Sequence, residues 1–61
     1  MIKNKIGWIN ERIEPKGYII VAHMISNKRY YMLLDKENYK IITAYRNIDR
    51  LESKIFKGGI I

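Results

Sequence analysis

Apolar and polar residues alternate over Lys5–Ile13, with Ile9, Glu11 and Ile13 on one side and Trp8, Asn10 and Arg12 on the other. That two-residue period predicts a strand, and Gly7 and the β-branched residues disfavour a helix there. Glu14-Pro15-Lys16-Gly17 follows, with Pro second and Gly fourth, the pattern of a type I turn. Tyr18–Ile25 is a continuous apolar run bounded by turn signals, which predicts a central strand covered on both faces. After the polar break Ser26-Asn27-Lys28-Arg29, Tyr30–Leu34 reads as a third strand. Asp35-Lys36-Glu37-Asn38 reads as a tight turn, with Asn38 in the left-handed conformation, and Tyr39–Tyr45 as a fourth strand. Loops this short predict an antiparallel meander.

The period then changes. Asn47 is a good N-cap, Asp49 suits a first turn, and Ile48, Leu51 and Ile55 share one helical stripe. Gly58-Gly59 ends the pattern, so a helix is predicted over Ile48–Lys57. Ile60 and Ile61 either pack back on the core or fray. The fold class is therefore α+β: a three- to four-stranded antiparallel β-meander with one C-terminal α-helix.

Two four-residue hairpin loops would put Ile19, Val21, His23, Ile25, Tyr30, Met32, Leu34, Tyr39, Ile41, Thr43 and Tyr45 on one sheet face. Tyr18, Ile20, Ala22, Met24, Tyr31, Leu33, Lys40, Ile42, Ala44 and Arg46 would lie on the other. A one-residue slip exchanges these sets for the strand affected. Both faces are apolar, and one short helix covers only one of them. The sheet either curls into a small SH3-like or OB-like barrel or meets a partner, for which a symmetric homodimer is the simplest arrangement.

Sixty-one residues leave room for one domain, 1–61, and so small a domain buries only about 60% of its unfolded surface. With no Cys, disulfides and thiolate metal sites are excluded as the source of added stability. His23 alone builds no zinc site, so no metal and no cofactor is expected. The apolar fraction of 48% argues against disorder. No apolar run nears the ~18 residues of a membrane span, and no signal-peptide core is visible, so a soluble, cytoplasmic protein without membrane contact is expected.

Charge changes the picture most. Twelve Lys and Arg against six Asp and Glu give +6. At ~100° per residue, Arg50, Lys54 and Lys57 fall within about 60° of one another on the helix, opposite the apolar stripe. Arg46 precedes them, Lys28 and Arg29 form a second basic point, and Lys3 and Lys5 a third. Such clusters neutralise phosphates and release counterions. A solvated helix face carries charges in any case, and Asp49 and Glu52 flank the stripe and dilute its field. Aromatic residues interleave with the cations on the presumed strands. Most Tyr residues fill a small core, and Tyr31 beside Arg29 and Trp8 beside Gly7 are the candidates for base stacking.

The segment Lys16-Gly17-Tyr18-Ile19-Ile20 resembles the strand motif of cold-shock domains over those few residues. Tyr30–Arg46, ending Ile41-Ile42-Thr43-Ala44-Tyr45-Arg46, is similar to the last hairpin of small RNase toxins, about a quarter of the chain. A three-stranded sheet with a buttressing helix resembles the DNA-binding arm domains of integrases and AP2-type domains, which implies strands entering a major groove. None extends far enough to assign a family.

His23 is the one side chain with an unperturbed acid–base range near neutrality, and a lone His inside an apolar strand is more often a core group than a catalyst. With no carboxylate pair, phosphate loop or Ser/His/Asp arrangement, no enzymatic activity and no catalytic residue is expected. The leading expectation is a small nucleic-acid-binding module of the kind phages and mobile elements encode, with DNA preferred over RNA. Phosphate contacts come from Lys28, Arg29, Arg46, Arg50, Lys54 and Lys57, and Tyr31 and Trp8 meet bases. One alternative is an inhibitor or adaptor that binds a host protein through an apolar or aromatic sheet face. The other is an RNase-toxin-like enzyme, which requires His23 to be accessible beside Lys28 or Arg29.

Overall fold

A computed structural model describes residues 5–60. Lys3 and Ile61 lie outside the described residues. The elements run α1 (Lys5–Ile13), a 3-10 turn (Glu14–Lys16), β1 (Tyr18–Ile25), β2 (Lys28–Asp35), β3 (Ile41–Tyr45) and α2 (Ile48–Phe56). The three strands form one open antiparallel sheet in the order β1-β2-β3. With its C-terminal helix this is the α+β class read from the sequence; the sheet does not close into a barrel.

The segment Lys5–Ile13, expected as a strand, is a helix. Ile9 and Ile13 are two strand periods apart, but they are also i and i+4 on a helix. Burial decides between the two. Both side chains are fully buried with Ile20, Leu33, Leu51 and Ile55 in one core, against which Ile6, Tyr18, Tyr31, Tyr45, Ile48 and Ile60 pack. Tertiary packing thereby outweighs the roughly 1 kcal/mol that Gly7 costs in a helix interior. Both helices thus lie on one face of the sheet.

With α1 helical, no strand among the described residues lies on the outer side of β1, and this run is an edge strand rather than the expected central one. Ile25 pairs directly with Lys28, so the polar break shrinks to the two-residue turn Ser26–Asn27 and Lys28 and Arg29 belong to β2. Both turn residues are left-handed, φ 50° and 64°, as a type I′ hairpin requires. In such a hairpin the odd-numbered residues of β1 bond to β2, and the even-numbered ones turn their N–H and C=O outward. At Ile20 those outward groups are taken by one side chain: the Ile20 N–H donates to Asn10 Oδ1 (2.7 Å), and Asn10 Nδ2 donates to the Ile20 carbonyl (3.1 Å). The Asn10 carboxamide imitates a neighbouring strand and fixes α1 to the sheet edge.

The β2–β3 connection is longer than expected and its left-handed residue is Tyr39 (φ 57°), not Asn38. The Asp35 and Asn38 side chains accept from the Glu37 and Lys40 N–H groups, and the Asp35 N–H donates to the Lys40 carbonyl at 2.9 Å. Leu34 faces Ile41, whereas Leu33 faces Thr43, so Ile42 is an extra residue in a bulge. The bulge leaves Ile41 on its expected face with Leu34 and reverses the faces expected for the rest of β3. Thr43 and Tyr45 join Leu33 and Tyr31 on the helix side, and Ala44 joins Met32 on the bare side.

Gly17, at φ 95°, ends the 3-10 turn in the left-handed region that favours glycine. The Lys36 N–H donates to the Gly17 carbonyl at 2.9 Å, which ties this corner to the second hairpin loop.

Candidate nucleic-acid interface

The helix α2 forms as the sequence implies. Asn47 is extended and its side chain accepts from the Asp49 N–H, while Leu51 and Ile55 anchor the inner stripe. The outer stripe carries Arg50, Lys54 and Lys57, all exposed. Among the described residues, no ion pair engages Arg46, Arg50, Lys54 or Lys57. The two carboxylates expected to dilute this stripe are held by α1 instead. Lys5 Nζ donates to Asp49 Oδ1 and lies 2.9 Å from Glu52 Oε1. These bonds, first to Asp49 and then to Glu52, raise the Lys5 pKa above its ordinary value.

Two clefts flank the outer stripe. The first, about 380 Å³, is lined by Tyr45, Arg50, Ser53, Lys54, Lys57 and Gly58. Tyr45 reaches it because the bulge at Ile42 turns that side chain to the helix face. Gly58 closes the helix end beside it, where a Cβ would sit 2.5 Å from the Lys54 carbonyl oxygen. Lys54 and Lys57 also stand at the negative end of the helix, which favours cations there whatever they bind.

The second cleft, about 440 Å³, opens between the two helices and is lined by Trp8, Arg12, Asp49, Glu52, Ser53, Phe56 and Lys57. The Trp8 and Phe56 rings meet edge to face at 6.3 Å and 66°, and the Arg12 guanidinium lies 4.6 Å from the Trp8 ring centre. Trp8 and Phe56 are 38% and 43% exposed. Ser53 and Lys57 line both clefts, so the two are contiguous.

Trp8 therefore sits on a helix, not on the expected strand. Arg12 and Phe56 were absent from the expected site. Trp8 and Arg12 are i and i+4, a pairing that emerges once α1 is read as a helix; no local pattern marks Phe56. Tyr31 is half-buried against the core and is not the open stacking surface expected. Arg46 is exposed at the end of β3. Lys28 and Arg29 are exposed beside the β1–β2 turn, Arg29 on the helix side with Tyr31 and Lys28 on the bare side. His23 is exposed on the bare side opposite Tyr30, not buried as a core histidine. Among the described residues, no group of three or more His, Cys, Asp and Glu side chains is arranged to hold a metal ion. Among the described residues, no helix is long and apolar enough to cross a membrane. Compared with protein-family models, curated proteins and solved structures, the chain matches none.

Proposed function

We propose that the chain binds nucleic acid, with the outer face of α2 set against the phosphate backbone. The supporting observation is that Arg50, Lys54 and Lys57 converge with Tyr45 on one cleft while Lys5 occupies the adjacent carboxylates. Unpaired cations keep their full attraction for an incoming polyanion. Each phosphate they neutralise releases condensed counterions, and affinity then falls steeply with salt. Arg29 adds an exposed cation on the helix side of β2 near the β1–β2 turn, and Arg46 another at the end of β3. The test is binding of labelled DNA and RNA at two salt concentrations. Affinity dropping at least tenfold as salt rises from 50 to 200 mM (about a 10³-fold loss for six phosphate contacts), and lost in Arg50→Glu/Lys54→Glu, supports the reading. Absence of binding at low salt by folded protein refutes it.

A second reading rests on the bare sheet face, where Ile19, Val21, Ile25, Tyr30, Met32 and Ile41 lie on the side away from both helices. A second copy of the chain packed there would bury them and give a symmetric homodimer. Sedimentation that stays monomeric across the micromolar range excludes it.

A further inference from the structure

We infer that the nucleic acid is single-stranded, with an unpaired base seated against Trp8 and Phe56 while the adjoining phosphate is held by Arg50, Lys54 and Lys57. This rests on the nucleic-acid reading above and specifies its ligand. Trp8 and Phe56 belong to neither the buried core nor the residues packed on it. Two large rings left at the surface, 38% and 43% exposed and edge to face rather than stacked on each other, keep apolar ring surface turned to solvent. The Arg12 guanidinium, 4.6 Å from the Trp8 ring centre, already covers one Trp8 face and leaves the other ring surface for a base. Their cleft, at about 440 Å³, falls within the roughly 300–1,000 Å³ of sites that enclose small organic ligands. Its two carboxylates, Asp49 and Glu52, are already paired with Lys5, which lowers their repulsion toward a nucleotide.

Contiguity makes the cleft a nucleotide site rather than a general apolar groove. Lys57 and Ser53 belong both to the aromatic cleft and to the cationic one, so a flat π-face and a phosphate would be met by neighbouring parts of one surface. A base inside a duplex is stacked on both sides and cannot enter. Base–aromatic stacking contributes about 1–3 kcal/mol per base, which is roughly a 5- to 150-fold gain in affinity for an unpaired strand.

Trp8 is the only tryptophan, so its fluorescence reports on the cleft directly. Oligo-dT, oligo-U and a duplex of matched length are titrated into the full chain, with Trp8 emission and the anisotropy of a labelled probe followed together. Expected are quenching of Trp8 by either single strand at the concentration where anisotropy rises, and a preference over duplex. Trp8→Ala should weaken single-strand binding 5- to 150-fold, Trp8→Phe should retain most of it, and neither should change duplex binding. Melting curves confirm that each variant folds. Salt-sensitive binding of strand and duplex alike, without quenching and unaltered in Trp8→Ala, overturns the single-strand assignment and leaves the phosphate-binding reading standing. If neither strand nor duplex binds, both fall together.

Discussion

One face of the sheet carries Ile20 and Leu33, 2% and 0% exposed beneath two helices; the opposite face carries Ile25 and Ile41, 49% and 58% exposed. The two faces are similar in composition and opposite in fate where the helices reach; Met24, beyond them on the covered side, is 55% exposed. Leu34 is the exception on the bare side, buried because Ile19 and Ile41 flank it across the two neighbouring strands. Apolar side chains alone therefore do not decide which face becomes core. What decides it is where the inner stripes of α1 and α2 can be laid down.

The sharpest way to break that contrast is Leu51→Ala. It opens a cavity in the covered face and should cost about 2–5 kcal/mol. A chain of this length has only about 3–9 kcal/mol of stability, so the loss is a large fraction of the whole and chemical denaturation should show a strongly lowered midpoint. Asn10→Ala comes next. It leaves the half-covered Ile20 N–H and C=O without their partner and should cost about 1–3 kcal/mol, with faster amide exchange at Ile20 as its signature. Ile41→Ser, on the bare face, should shift stability by less than about 0.5 kcal/mol in the monomer. A loss there comparable to that of Leu51→Ala would mean that the face is covered in solution.

The smallest expected effect concerns the Lys5 clamp. Its pKa is raised on folding, so its contribution is complete below the ordinary lysine value of 10.5 and disappears as pH climbs through the higher folded value. The melting temperatures of the parent and Lys5→Gln should differ slightly at neutral pH and converge in strong alkali.

The helix α2 was legible in the sequence because cap, stripe and stop agree: Asn47, then Ile48, Leu51 and Ile55, then Gly58. The strands were legible as apolar runs between turn residues. The helix α1 was not, because a spacing of four residues satisfies both periods, and only the burial of Ile9 and Ile13 against Leu51 and Ile55 separates them. The face of β3 was hidden by a single residue, since nothing local marks Ile42 as the bulge that sends Tyr45 toward α2. The cationic stripe could be found from the sequence alone. The aromatic cleft could not, because Phe56 and Trp8 meet only once two helices are in place.

Asn10 closes the outer edge of β1 at Ile20, yet Ala22 and Met24 beyond it keep outward N–H and C=O groups. A foreign strand aligning with this edge could zip alongside the outer part of the hairpin and would then collide with α1. Growth by strand addition would be limited to a few residues, too short a template to seed a fibre. The carboxamide that holds a helix in place would thus also guard an uncharged strand against runaway assembly.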